Sequence, residues 1–257
     1  MIRRFNRFEL KYILPVTRCA RLIDELSEQI VPDRHGGDAG YCVVSLYYDS
    51  PDLQCFWAKI ESLKYRRKLR LRVYPEHDIR KVTSAAVEIK QRINKTVQKR
   101  RLALPLEQAE ALCGGSLDLA GLDREDAQVA EEVLALRHYL DLQPTAVTSY
   151  LRRAFEGQHE NAGLRVTFDY HVAARMHALG VREPARNRLI LPEDWCIMEV
   201  KADERVPHWV ASLLARHGCQ LGRVSKYCAA VAKIRALEVL PLALQRFSAP
   251  IPEPPHG

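Results

Sequence analysis

Apolar and charged side chains alternate with period two in several short stretches of this chain, the pattern of pleated strands with one dry and one wet face. Leu69-Arg70-Leu71-Arg72-Val73-Tyr74 shows it most sharply. Val87-Glu88-Ile89-Lys90, Phe8-Glu9-Leu10-Lys11-Tyr12, Leu164-Arg165-Val166-Thr167-Phe168-Asp169 and Ile197-Met198-Glu199-Val200-Lys201 repeat it from one end of the chain to the other. A single face of this kind could simply meet water. Here long basic groups and carboxylates recur at alternate positions, with few of the Ser, Thr and Gln side chains of a generic solvated face. If the sheet curls with its apolar side outward against helices, the charged faces converge on a lumen.

A second periodicity, of three to four residues, predicts those helices. Thr17 caps a segment with Leu22, Ile23, Leu26 and Ile30 on one stripe, and Ser50-Pro51 starts another that carries Leu53, Phe56, Trp57 and Ile60. A longer amphipathic stretch runs from Arg124 to Leu140, and Pro207 to His217 and Ser225 to Leu240 are also read as helical. All are expected to pack outside the sheet. His35 to Gly40 and Cys113 to Ser116 are read as loops, and neither has the spacing of a phosphate loop. One domain, residues 1–240, is followed by a proline-rich tail, 241–257, with Pro250, Pro252, Pro254 and Pro255. The expected class is therefore α+β, with helices around an antiparallel sheet.

With 257 residues, 47% of them hydrophobic and 28% charged, the chain can bury a core, which excludes disordered and fibrous classes. No run of about 18 apolar residues exists, so no membrane segment is expected. Arg3-Arg4 hints at an export signal, but Glu9 and Lys11 fall where its apolar stretch would lie. A cytoplasmic location is the expectation. The seven cysteines are scattered without a C-x-x-C pair and are read as buried reduced thiols, and the nine histidines lack metal-ligand spacing.

The net charge of +7 is unevenly placed: between Lys59 and Arg101, fifteen basic residues stand against Glu61, Glu76, Asp78 and Glu88. Such a stretch wants an anionic partner. Phosphate oxygens accept charge-assisted hydrogen bonds best from Arg and Lys held in fixed geometry. Phosphoryl transfer in turn needs mainly in-line positioning and charge neutralisation, so no nucleophilic side chain is required. The candidate lining is Lys11, Arg70, Arg72, Lys90, Arg152, Arg165 and Lys201, with Lys99, Arg101, Tyr150 and Lys226 as further substrate contacts. Arg100 is the parity alternative to Arg101, because the turn at Asn94 leaves the register open. Thr167 and Ser225 are weighed as hydroxyl donors to phosphate, against plain strand and cap roles. Nucleic acid is not expected as a partner, since aromatics are only 7% of the chain and are read as leaving no stacking platform.

Nine short motifs follow one another as in a known family: Glu9-x-Lys11-Tyr12, Tyr47-Tyr48-Asp49-Ser50-Pro51, Arg67-Lys68-x-Arg70-x-Arg72-x-Tyr74, Glu88-x-Lys90, Lys99-Arg100-Arg101, Ser149-Tyr150-x-Arg152, Arg165-x-Thr167-x-Asp169, Glu199-x-Lys201 and Ser225-Lys226-Tyr227. From about Arg7 to Ala236 the chain resembles the VTC domain, the polyphosphate polymerase domain of the vacuolar transporter chaperone complex. The resemblance implies a triphosphate tunnel fold, a closed antiparallel β-barrel of about eight strands with helices outside. It also implies a Mn2+- or Mg2+-dependent enzyme that moves the γ-phosphoryl of ATP onto inorganic polyphosphate and releases ADP. Arg7 stands where the related cyclase and thiamine-triphosphatase branch has the first glutamate of its E-x-E-x-K motif, which favours the polymerase branch. Glu199 is the first choice for the metal, as the resemblance implies, followed by Glu88 and Asp169, with Glu9 read rather as a partner for neighbouring cations. A tripolyphosphatase or nucleoside triphosphatase on the same scaffold is the alternative, and a non-catalytic polyphosphate binder is another. The complex's sensor domain and membrane helices have no counterpart here, so coupling to translocation would need a separate membrane partner.

Overall fold

The computed structural model describes residues 7–94, 96–222 and 224–237. Strand β1 (Arg7–Pro15) leads into helix α1 (Val16–Leu26) and a short β2 (Ile30–Pro32). Then come β3 (Tyr41–Asp49), α2 (Gln54–Ile60), β4 (Tyr65–Val73), β5 (Ser84–Ile93), β6 (Thr96–Pro105), α3 (Leu106–Gly114) and α4 (Arg124–Leu140). The chain continues with β7 (Gln143–Gly157), β8 (Arg165–Arg175), β9 (Arg188–Leu189), β10 (Trp195–Asp203), α5 (His208–Arg216) and α6 (Lys226–Ile234). All five alternating stretches fall on strands, save for Tyr74 and Leu164 at their ends, and the α+β reading holds.

One antiparallel sheet carries the fold, in the order β1-β10-β8-β7-β3-β4-β5-β6, with β2 added to β7 and β9 to β8. The expected closed barrel is corrected here. β1 and β6 stand at opposite ends of that order with no pairing between them among the described residues. The sheet is nonetheless strongly curled. β1 and β5 are six strand spacings apart in the order, about 29 Å if the sheet lay flat. Yet Lys90 on β5 donates to Glu9 on β1 at 3.0 Å, which only a sheet bent back on itself allows.

The convex side is apolar. Leu69, Leu71 and Val73 of β4 and Val87 and Ile89 of β5 are fully buried against Leu106, Ala109 and Leu112 of α3 and Ala130, Val133 and Leu136 of α4. Met198 and Val200 of β10 and Val166 and Phe168 of β8 pack in the same way under Leu22 and Leu26 of α1 and Val210 and Leu213 of α5. Burying a Leu or Phe side chain contributes about 2–3 kcal/mol, so these two clusters supply the force that holds helices to sheet.

Several helix expectations change. α1 starts at Val16 after Pro15 with no side-chain cap, so Thr17 lies inside it, and Ile30 leaves the helix to pair in β2. α2 begins three residues after the expected place: Leu53 is left-handed (φ 63°), and the side chains of Ser50 and Asp49 accept the N–H groups of Gln54, Cys55 and Phe56. α3 occupies part of an expected loop and ends where Gly115 turns left-handed at φ 86°. The largest change concerns α6, which packs on the concave side. Its Ala229 and Ala230 meet Ile13, Val43, Tyr150 and Ile197, residues with the same strand parity as the charged groups. The tail lies outside the described residues.

Candidate functional site

Pleating puts alternate residues on one face, and the registers align those faces across the sheet. Lys11 pairs with Glu199 and Glu199 with Thr167; Asp169 pairs with Arg152; Arg70 pairs with Glu88 and Glu88 with Arg101. Lys68, Lys90 and Lys99 form a further row. Register settles the parity question at β6. Arg101 faces Glu88 at 3.9 Å, whereas Arg100 points to the convex side and pairs with Glu132 of α4 at 2.6 Å. α6 closes one part of the concave face and adds Lys226 and Ser225 from its N-terminal end. Tyr227 fixes that helix through a hydrogen bond from its hydroxyl to Asp49, the same carboxylate that caps α2.

Each carboxylate on this face gathers cations. Glu88 is 1% exposed and meets Arg70 and Lys99, both at 2.5 Å. Burial favours its neutral form, but Arg70, Arg72 and Lys99 outweigh that and bring the carboxyl down to about 2. Asp169 is fully buried and receives a two-pronged hydrogen bond from Arg152 (2.7 and 2.9 Å), with Lys226 at 2.5 Å. Burial again opposes its charge, and Arg152 and Lys226 hold it at about 2. The third centre is looser. Glu199 has Lys11 at 3.6 Å and Lys201 at 3.4 Å, and Lys11 also touches Glu9 at 3.0 Å.

Charge at this third centre is unevenly stabilised. Burial works against Lys11, but Glu199 and Glu9 keep its ammonium above the usual lysine value. Lys201 shows the opposite outcome: burial prevails over Glu199 and lowers it to about 8. For Glu199 burial is overcome by Lys11 and Lys201, which hold it well below the ordinary carboxylate range. Burial also lowers Lys90 and Lys99, against the pull of Glu9 and Glu88 respectively.

Arginines fixed by neutral groups complete the face. Arg72 is 6% exposed and donates to Ser45 (3.0 Å) and to the Tyr150 hydroxyl (3.1 Å), which joins β4 to β3 and β7. Arg70 donates to the Tyr47 hydroxyl at 3.1 Å. Burial resists ionisation of Tyr47, yet Arg70 and Arg72 lower its phenol to about 8. Thr167 and Thr148 are buried with hydroxyls that find no hydrogen-bond partner among the described residues, and Thr167 is the cross-strand neighbour of Glu199.

Of the sequence candidates, Lys11, Arg70, Arg72, Lys90, Lys99, Arg101, Tyr150, Arg152, Lys201 and Lys226 line this face around three separate carboxylates. Arg165 shares the face but is engaged at its rim by Glu156, by Asp33 at 2.6 Å and by the Tyr41 hydroxyl at 3.2 Å. Tyr47 and Lys68 were missed. Lys68 has the parity of Arg70, which the alternation already contained, and it donates to Ser225 at 3.0 Å. The contact of Tyr47 with Arg70 depends on β3 lying beside β4, which no local pattern reports. The expected lack of an aromatic beside the basic rows is corrected too: Tyr74 shares the parity of Arg70 and Arg72, and Arg101 lies over its ring at 5.7 Å.

The three carboxylates expected to hold metal are not gathered together: no group of three or more His, Cys, Asp or Glu side chains among the described residues is placed to hold an ion. A hard divalent cation carried with phosphate needs only one or two protein carboxylates, its remaining ligands being water and phosphate oxygens. Glu199 fits that demand, with Glu9 within hydrogen-bonding reach and the unpartnered Thr167 hydroxyl beside it. No helix among the described residues is long and apolar enough to cross a membrane.

A protein-family model described as the VTC domain matches residues 6–235. No curated protein matches the sequence. Among solved structures, a Vibrio parahaemolyticus protein described as a candidate adenylate cyclase aligns at 9% identity and TM-score 0.43, over 87% of this chain and 96% of its own. A Bacillus halodurans protein of the same description gives 12% identity and TM-score 0.43, over 94% and 96%. The Schizosaccharomyces pombe Mediator head module gives 12% and 0.42, over 84% and 96%. At such scores neither detail of fold nor activity transfers.

Proposed function

The chain belongs to the VTC-domain family, and from that membership we propose that it is a metal-dependent polyphosphate polymerase, transferring the γ-phosphoryl of ATP to inorganic polyphosphate with release of ADP. The observation that carries this reading is the curled face on which Arg and Lys side chains from strands distant in sequence surround separate buried carboxylates. A linear polyanion suits such a surface, because successive phosphates can each meet a different fixed cation.

Arg70, Arg72, Lys90, Lys99 and Arg101 serve one flank of the phosphate chain, and Lys11, Arg152, Lys201 and Lys226 the other. Tyr150 orients Arg72. Arg165, held by Asp33 and Glu156, serves the rim. Glu199, assisted by Glu9, holds Mn2+ or Mg2+, which when bound neutralises charge on the phosphoryl group. Glu88 and Asp169, each closely engaged by two cations, are assigned to holding those cations in place and not to the metal. In the transfer, the bond from the γ-phosphorus to the β,γ-bridging oxygen breaks as a terminal oxygen of the acceptor chain bonds to that phosphorus. The basic residues stabilise the negative charge left on ADP. The protein is proposed to act in the cytoplasm, with any translocation left to a separate membrane partner.

Incubation of the purified protein with ATP and Mn2+ tests the reading, with acid-labile polymer and ADP as the expected products. Orthophosphate as the sole phosphorus product would make it a hydrolase, and tripolyphosphate binding without turnover would make it a binder.

A further inference from the structure

On the convex side, away from the charged face, Cys19 of α1 and Cys196 of β10 bring their Sγ atoms to 2.7 Å across 177 residues of sequence. Both residues are fully buried in the cluster beneath α1 and α5. The frame around them is fixed: the N–H of Val16, at the start of α1, donates to the carbonyl of Asp194 just before β10 at 2.7 Å. Two sulfurs this close need little further approach to reach the 2.03–2.05 Å of a bond. The scattered spacing of the cysteines gives no sign of the pair, since it is made by packing α1 onto β10.

We propose that Cys19 and Cys196 form an intramolecular disulfide on exposure to a disulfide-type oxidant. In the exchange, both S–H bonds break and one S–S bond forms. The two electrons and two protons reduce the oxidant disulfide to two thiols. The hydrogen bond with Cys19, together with burial, pushes Cys196 far above its ordinary pKa, so the native pair reacts slowly and the bond forms most readily while the chain is folding. The bond ties α1 to the back of the strand whose other face carries Glu199 and Lys201. It is independent of the enzymatic reading above.

Refolding the full chain from urea in a buffer of oxidised and reduced glutathione tests this without limiting access to the sulfurs. Tryptic digestion under non-reducing conditions should give Cys19–Arg21 linked to Leu189–Lys201, with titratable thiols falling from seven to five. Closing so long a loop should raise the midpoint of thermal unfolding by about 10 °C, reversibly with dithiothreitol. A Cys42→Ser variant, which removes an exposed thiol, should keep the link. Seven free thiols after refolding, or links that map to other cysteines, would overturn the proposal.

Discussion

Asp169 and Glu199 are buried carboxylates on neighbouring strands, each facing two cations, yet they are held very differently. Asp169 receives the fork of Arg152 at 2.7 and 2.9 Å and Lys226 at 2.5 Å. Glu199 has only lysines, at 3.4 and 3.6 Å, one of them shared with Glu9, and an unpartnered hydroxyl next to it. A planar guanidinium saturates a carboxylate, while ammonium groups at longer range leave its oxygens open. In the proposed function Asp169 therefore belongs to the framework and Glu199 to the chemistry.

The sharpest way to break that contrast is to neutralise each acid in turn. Glu199→Gln should lower Mn2+-dependent turnover of ATP about 10²–10³-fold with little change in thermal unfolding, the loss typical of removing one preorganised electrostatic group. Asp169→Asn should act on the fold, because it leaves Arg152 and Lys226 without a counter-charge. A loss of about 3 kcal/mol is expected, read as a fall in melting temperature of about 6–12 °C. Its pKa, lowered from 3.8 to about 2, also fixes a sign. The stability that Asp169 contributes is present above about pH 4 and disappears as pH falls towards 2, and the variant should lack that acid limb. If the two variants exchange phenotypes, the assignment of roles is wrong.

Binding experiments sharpen the same comparison on a smaller scale. Arg72→Ala should weaken tripolyphosphate about 10–100-fold by calorimetry, the worth of a charge-assisted pair. Lys201, lowered to about 8 by burial, is charged below that pH and neutral above it. Tripolyphosphate affinity should then fall about fivefold between pH 7 and 9, and Lys201→Met should make that slope shallower, leaving the part due to Tyr47, whose phenol also titrates near 8. A slope unchanged by the substitution would place the titration elsewhere.

Legibility in the sequence followed the range of the interaction. β4 was plain because Leu69, Leu71 and Val73 alternate with Lys68, Arg70 and Arg72. β3 was not marked as a strand because Val43 to Tyr48 are buried on both faces, and a run that is apolar but for Ser45 shows no alternation. The metal candidates show the limit most clearly. Glu88, Asp169 and Glu199 look alike in sequence as acids on the charged parity of a strand, and only the distances to Arg70, Arg152 and Lys11 tell them apart.

Alternation along the backbone determined by itself that charged and apolar faces would separate, because a pleat turns each side chain away from the next whatever the rest of the chain does. The side on which α6 packs, the choice of Arg101 over Arg100, the lack of β1–β6 pairing among the described residues, and the meeting of Glu9 with Lys90 and of Cys19 with Cys196 were decided only in the tertiary structure. Each depends on how far the sheet bends and on which residues, distant in sequence, share the space the bend creates.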